Sequence, residues 1–250
     1  MAHSIIEFRN VAKSFGENHV LDGADLSIDK GETLTIMGGS GKGKTVFLKL
    51  MLGVIAPDSG KVFFQGKDLG LMKEKELSKM RSRIGMLFQG AALFDSLSVG
   101  ENVAYPLRLH FKHSEGEISR IVNEKLEMVG LPGVAEMMPS DLSGGMKKRV
   151  GLARAIATDP DVILYDEPTT GLDPANTNRI CRLIRELQQK MGVTSVVVTH
   201  DMAAAFEVTD RIAMIHKHRF GFVGTKDEAR ASTDPVVQNF IKGEMETGDG

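Results

Sequence analysis

The apolar positions of this chain change period several times, and each change marks an element. "IIEFRNVAKSF" (Ile5–Phe15) and "HVLDGADLSID" (His19–Asp29) alternate at period two with turn residues between them, which predicts two strands. "ETLTIMG" is a short apolar strand that runs into a glycine-rich turn. "KTVFLKLMLG" follows at helical spacing and is ended by Gly53 and then Pro57. "KVFFQG" predicts a strand, "KEKELSKMRSR" a short polar helix and "RIGMLFQ" a buried strand. From about Gly90 to Asp159 the strand pattern stops. "VGENVAYPLRLH", "EISRIVNEKLEMVG", "VAEMM" and "GMKKRVGLARAIA" all predict helix there. "DVILYDE" restores the strand pattern. A helix from about Pro174 to Lys190, the strand "VTSVVVTHD", a short helix and the strands "RIAMIH" and "RFGFVG" complete it. Strands that alternate with helices predict an α/β fold with a mostly parallel sheet. We expect one domain. Its core is residues 1–89 and 160–243, with antiparallel strands at the N-terminus, an inserted helical subdomain at 90–159 and a polar, frayed tail at 244–250.

Composition narrows the partners. Of 250 residues, 42% are hydrophobic, enough for one large core. The net charge of −2 gives no broad basic excess, so no sequence-independent grip on nucleic acid is expected. The one dense basic run, Lys147 to Arg149, reads as a solvated or phosphate-facing helix surface. Cys181 is the single cysteine, so no internal disulfide can form, and its place in "NRICRLIRELQ" makes it a packing residue. The N-terminus lacks the apolar run of a signal peptide. No segment approaches the ~18 apolar residues of a membrane span, so any membrane role must come through a partner.

The chemistry begins at "GGSGKGKT", Gly38 to Thr45, which fits G-x-x-x-x-G-K-[ST]. It follows a buried strand and opens a helix, where the mechanism needs it. Gly38, Gly39, Ser40, Gly41, Lys42 and Gly43 can turn their N–H groups around the β-phosphate of a nucleotide. Lys44 would reach the β- and γ-phosphates, and the Thr45 hydroxyl would hold Mg²⁺. A second signal is "VILYDEP". Four apolar residues deliver Asp166 and Glu167 to the C-terminal end of a buried strand, the edge where open α/β sheets bind ligands. Asp166 suits Mg²⁺ through a bound water; Glu167 suits the orientation or deprotonation of an attacking water. His200 ends "VVVTH" and can bond to a γ-phosphate oxygen, or serve only structure. Gln89 ends "IGMLFQ" and offers a neutral oxygen to Mg²⁺ or water. A third signal is "LSGGMKKR", Leu142 to Arg149. Ser143 is a good N-cap, and Gly144 and Gly145 let a ligand approach the backbone. One chain therefore carries two helix starts suited to an anion.

These motifs together resemble the ATP-binding-cassette (ABC) ATPases, over nearly the whole chain and in family order: the phosphate loop, Gln89, "LSGG", "VILYDE", "GLD" at Gly171 to Asp173, and His200. The resemblance implies a P-loop NTPase core of RecA-like type, ATP hydrolysis with Mg²⁺, and a head-to-tail dimer. In such a pair each ATP lies between the phosphate loop of one copy and the Ser143–Gly145 turn of the other. It also implies an aromatic over the adenine, which falls on Phe15, with a core residue as the alternative. Asp173 would lie at the dimer seam. Three positions depart from the pattern. Gly39 stands where many relatives have proline. Lys42 adds a charge near the phosphates, either toward the ligand or toward solvent. Val46 stands where most relatives carry a hydroxyl to the α-phosphate.

"MLFQGAALFDSLSVGENVAYPLR" and "MPSDLSGGMKKR", with Met146 in place of glutamine, resemble the ATPases of the Mla, or MCE-associated, lipid-trafficking transporters, as does "DPVVQNFIKG" near the C-terminus. That resemblance implies a peripheral ATPase on the cytoplasmic face of the inner membrane. It would sit under a permease subunit, with a periplasmic MCE lipid-binding protein and phospholipid as cargo. No regulatory domain is expected beyond Gly243. Ala91, Ala92, Leu93, Phe94 and Tyr105 either form a groove for the permease or fill the subdomain core. The competing readings are the ATPase of another importer or exporter, and a soluble ABC machine.

Overall fold

The computed structural model describes residues 4–38 and 43–242. Gly39, Ser40, Gly41 and Lys42 of the phosphate loop and the tail 244–250 lie outside them. The chain divides into two compact units, 1–77 with 196–250, and 78–195.

The first unit opens with the two alternating segments as strands β1 (Ser4–Phe15) and β2 (Asn18–Asp29), paired antiparallel. They join β4 (Ser59–Phe64) and β5 (Lys67–Asp68) in a sheet of order β2-β1-β4-β5. A second sheet runs β10-β9-β3-β8 within this unit. Its strand β3 (Thr33–Met37) is wholly buried and parallel to β9 (Arg211–His216). β10 (Arg219–Thr225) closes on β9 antiparallel. Helix α1 (Lys44–Met51) turns Phe47 inward between Phe8 and Phe220, with ring centroids 4.9 and 5.0 Å away. Burying a phenylalanine is worth about 1.5–3 kcal/mol, so this one side chain does much to fix the phosphate turn that α1 follows.

The second unit holds β6 (Ile84–Leu87) parallel to β7 (Val162–Asp166), in the order β8-β7-β6. The first two residues of β8 (Thr194–Thr199) belong to this unit and the rest to the first. Short α2 (Glu74–Arg81) leads into β6. Helices α3 (Val99–His110) and α4 (Glu115–Met128) start in capping boxes, Ser98 with Glu101 and Ser114 with Glu117. Helix α5 (Gly144–Ile156) packs hard on β6. A Cβ on Gly85 would stand 2.1 Å from the Ala155 carbonyl, so only glycine permits the approach. Helix α6 (Pro174–Met191) buries Cys181 completely, the packing role its spacing predicts.

Two expectations fail. "VAEMM" is irregular, not helical. Gly133 takes φ +75°, and the carbonyls of Ala135 and Met137 accept the Gly100 and Val99 N–H groups, 2.8 and 2.9 Å away. The segment closes one turn of its own, Met137 N–H to the Val134 carbonyl at 3.0 Å, and otherwise caps the start of α3. Beyond the short α7 (Met202–Val208), two further helices go unforeseen: α8 (Lys226–Ala231), although Thr225 and Glu228 form its capping box, and the C-terminal α9 (Pro235–Lys242), which turns Val237 and Phe240 into the core. Among the described residues, no helix is long and apolar enough to cross a membrane.

Candidate functional site

In the first unit the described part of the phosphate loop is Gly38 and Gly43 to Val46. Gly43 takes φ +90°, and a Cβ there would meet Val20 Cγ1 at 2.5 Å; glycine is required twice over. No side chain caps α1, and its first turn holds no acid. Lys44 is buried, and its Nζ donates to the Gly38 carbonyl at 2.7 Å, so the lysine spans the ends of the loop. Thr45 is exposed and Val46 half-buried beside it. An uncapped helix start that lacks acids, with a lysine folded across its mouth, suits a polyphosphate. His200 follows β8 directly and is exposed; Asp201 after it caps α7 through the Ala204 N–H at 3.1 Å. Phe15 is 51% exposed at the β1–β2 turn, with Lys13 Nζ 5.4 Å from its ring centre. It is not a core residue.

The second unit brings Gln89, Asp166 and Glu167 to one sheet edge. Leu87 pairs with Tyr165 in parallel register, so the residues after both leave the sheet together. Val162 to Tyr165 are fully buried, which fixes where Asp166 emerges. Glu167 takes φ +48°, a left-handed conformation that costs a non-glycine residue about 1–2 kcal/mol. Its carbonyl accepts from the Thr170 N–H at 3.3 Å and from Lys148 Nζ at 3.2 Å, and its carboxylate accepts from the Thr170 hydroxyl at 3.3 Å. Lys148 is buried. Burial pulls its ammonium below the usual lysine range, against the pull of Asp166 and then Glu167, which favour the charge.

Ser143 caps α5 through the Met146 N–H at 3.3 Å. The two glycines after it differ. Gly144 faces open space, whereas a Cβ on Gly145 would lie 2.4 Å from Asn176 Oδ1. Gly145 therefore has a packing reason to be glycine that its motif did not disclose. Asn176 is itself held by Asp173, the N-cap of α6, through its N–H at 2.9 Å and its side-chain amide at 2.6 Å. Those bonds, the backbone one first, keep the Asp173 carboxyl below its ordinary range.

The loop after β6 is strained at Ala91 (φ +61°) and Ala92 (φ +47°). Arg154 of α5 donates to both carbonyls at 2.7 Å and holds it. Asn102 of α3 is fully buried and clamps the far side, donating to the Phe94, Leu97 and Ser98 carbonyls and accepting from the Phe94 N–H at 2.8 Å. Phe88, Ala92, Phe94, Tyr105, His110 and Arg154 line a cavity of about 420 Å³. Ala91 does not line it and takes the core alternative, buried with its Cβ 3.3 Å from the position a Cβ on Gly151 would take. The basic run Lys147–Arg149, expected to form a solvated or phosphate-facing surface, is not one: Lys148 and Arg149 are buried and donate to the backbone carbonyls of Glu167 and Gly130. Arg154 and Asn102 went unnoticed in the sequence, because each acts on a backbone carbonyl and no motif reports that.

No cluster of three or more His, Cys, Asp or Glu side chains able to hold a metal occurs among the described residues. Mg²⁺ asks for none, since it takes one or two protein oxygens and completes its shell with water and phosphate.

A family model described as "ABC transporter" matches residues 21–170. The "Intermembrane phospholipid transport system ATP-binding protein MlaF" of Haemophilus influenzae is 42% identical over 98% of this chain and 93% of its own length. The "Probable ribonucleotide transport ATP-binding protein mkl" of Mycobacterium leprae is 40% identical over 95% of this chain and 69% of its own. A solved structure of the cassette MJ0796, a dimer in a post-hydrolysis state bound to ADP and Pi, superposes with a TM-score of 0.80. It is 33% identical and covers 88% of this chain and 98% of its own.

Proposed function

This chain belongs to the ABC transporter family and is an ATPase, and from that premise we propose that it drives an inner-membrane transporter moving phospholipid between the inner and outer membranes. The observation that supports the cargo is the near full-length likeness to a phospholipid-transport subunit. In this reading Lys44 and the N–H groups of Gly38 to Val46 bind the ATP phosphates, and Phe15 covers the adenine. Thr45, Gln89 and Asp166 would hold Mg²⁺, which supplies charge neutralisation at the phosphates. Glu167 takes the proton of the attacking water and His200 steadies it. Two copies pair head to tail, with Ser143, Gly144 and Gly145 of one meeting the γ-phosphate of the other. The helical segment 90–159 is the part that answers to the membrane, and the cavity lined by Phe94 and Tyr105 receives the permease subunit. The chain is peripheral on the cytoplasmic face, and a periplasmic MCE protein completes the complex.

Purification of the intact complex in detergent, with identification of its subunits and extracted lipids, tests this reading. A permease, an MCE protein and phospholipid are expected. Nucleotide cargo, as the name of the mycobacterial relative has it, would overturn the lipid assignment and leave the ATPase standing.

A further inference from the structure

Lys148 lies five residues past Ser143 on α5, about 7–8 Å along a rigid helix. It is 4% exposed, a costly place for an ammonium group. A lysine buried only to fill space could be replaced by methionine at no electrostatic cost, but this one is aimed. Its Nζ reaches the carbonyl of Glu167, 3.2 Å away, at the one residue of the "YDEP" turn that holds a left-handed backbone without being glycine. The same carbonyl also accepts the Thr170 N–H at 3.3 Å, and the Thr170 hydroxyl reaches the carboxylate at 3.3 Å. The start of α5 is fixed in turn, because Gly145 closes on Asn176, and Asn176 is bonded to Asp173.

We infer that Lys148 is a positioning residue for the ATPase reaction: its ammonium locks the strained backbone that presents the Glu167 carboxylate, and ties that carboxylate to the helix that begins with the Ser143 turn. The inference rests on the reading of Glu167 as the base. Its consequence is that a displacement of the Ser143 turn by the partner copy's nucleotide is carried along α5 to the carboxylate serving this chain's own nucleotide. Its role is to position the Glu167 backbone, not to react.

The test is steady-state ATP hydrolysis and ATP occlusion by the full complex carrying Lys148→Met, Lys148→Arg or Lys148→Gln, beside Glu167→Gln. Lys148→Met keeps the length of the side chain and removes the donor. Its kcat should fall roughly ten- to a hundredfold, the effect of a charge-assisted hydrogen bond lost from the transition state. KM for ATP and occluded ATP per dimer should stay within about twofold. Lys148→Arg and Lys148→Gln, which retain a donor, should recover most of the loss. Wild-type kcat in Lys148→Met would overturn the proposal. So would a fall in kcat matched by lost occlusion, or no recovery with either donor, since each marks a merely structural lysine. Normal turnover in Glu167→Gln would instead sink the assignment of the base. An inactive Glu167→Gln beside a fully active Lys148→Met would sink the lysine's role alone.

Discussion

Two helices of this molecule start on glycine-containing turns beside an anion-binding motif, and they start in opposite ways. Helix α1 follows Gly43 in a left-handed turn, has no side-chain cap, and keeps Lys44 buried across the loop. Helix α5 follows Ser143, which caps it from within the chain, and Gly144 beside it is exposed to open space. The first start is built to enclose a ligand. The second is satisfied on its own and presents a hydroxyl and a bare backbone outward. A turn that already has its cap needs no ligand to be stable, so it can meet one and release it without unfolding. That contrast is what a composite site shared by two copies would require.

The sharpest way to break the comparison is to damage each turn and ask whether the defects share a site. Lys44→Ala should abolish ATP binding at its own loop, with turnover down ~10²-fold or more. Ser143→Arg should block the outward turn with bulk. In a dimer with one substitution on each chain, the trans arrangement puts both defects on one site and leaves the other intact, so about half the wild-type ATP occlusion is expected. With both substitutions on one chain, each site carries one defect and occlusion should collapse. The opposite order would show that the two turns serve the same ATP within one chain.

Glu167→Gln sharpens the chemical half of the comparison. It keeps the size and the Thr170 contact and removes the carboxylate proposed as the base. Turnover should drop ~10²-fold while ATP remains occluded. Single-turnover hydrolysis at near-normal rate would end this role.

A smaller effect separates the two glycines of the outward turn. Gly145→Ala places a methyl against Asn176 and should cost about 1–3 kcal/mol in a denaturant midpoint shift. Gly144→Ala meets nothing and should be neutral or slightly stabilising, since alanine is the better helix former by roughly 1 kcal/mol. Asn176→Ala should rescue Gly145→Ala. Equal costs at the two positions would show that Gly144 too is held by packing.

The elements were legible wherever one period ran unbroken. β9 and α3 carry the residues their patterns mark, because a face buried along its whole length writes itself into the sequence. "VAEMM" misled because its apolar residues sit beside Gly133 and two of its carbonyls, Ala135 and Met137, are spent on α3; a partner elsewhere in the chain decides its shape. α8 was readable in "TKDE" and was missed because its apolar face is only an alanine deep. At the candidate site, the motif residues stand out in the sequence because phosphate chemistry allows few substitutes. The bonds of Lys148 and Arg154 do not, since a cation bonding to a carbonyl can stand wherever the fold brings the two together.

The smallest predicted effect returns to α1. Val46 is the third residue of the helix, the position whose N–H the capping side chain takes in α5, through Met146. In α1 no side chain takes that role, so whatever binds there must interact with the first turn itself. Valine offers it a backbone N–H and two methyl groups. Threonine has nearly the same shape and the same χ1 stiffness, and adds one hydroxyl donor. A neutral hydrogen bond of this kind is worth about 0.5–1.5 kcal/mol, so Val46→Thr should tighten ATP binding roughly two- to tenfold by equilibrium titration. The gain should vanish for a ligand that lacks phosphate, such as adenosine. It should appear in KM and leave kcat within about twofold, because the bond forms equally in the ground and transition states. An unchanged affinity would mean that the half-buried side chain at 46 turns away from the phosphates, and that α1 meets its ligand through backbone and Lys44 alone.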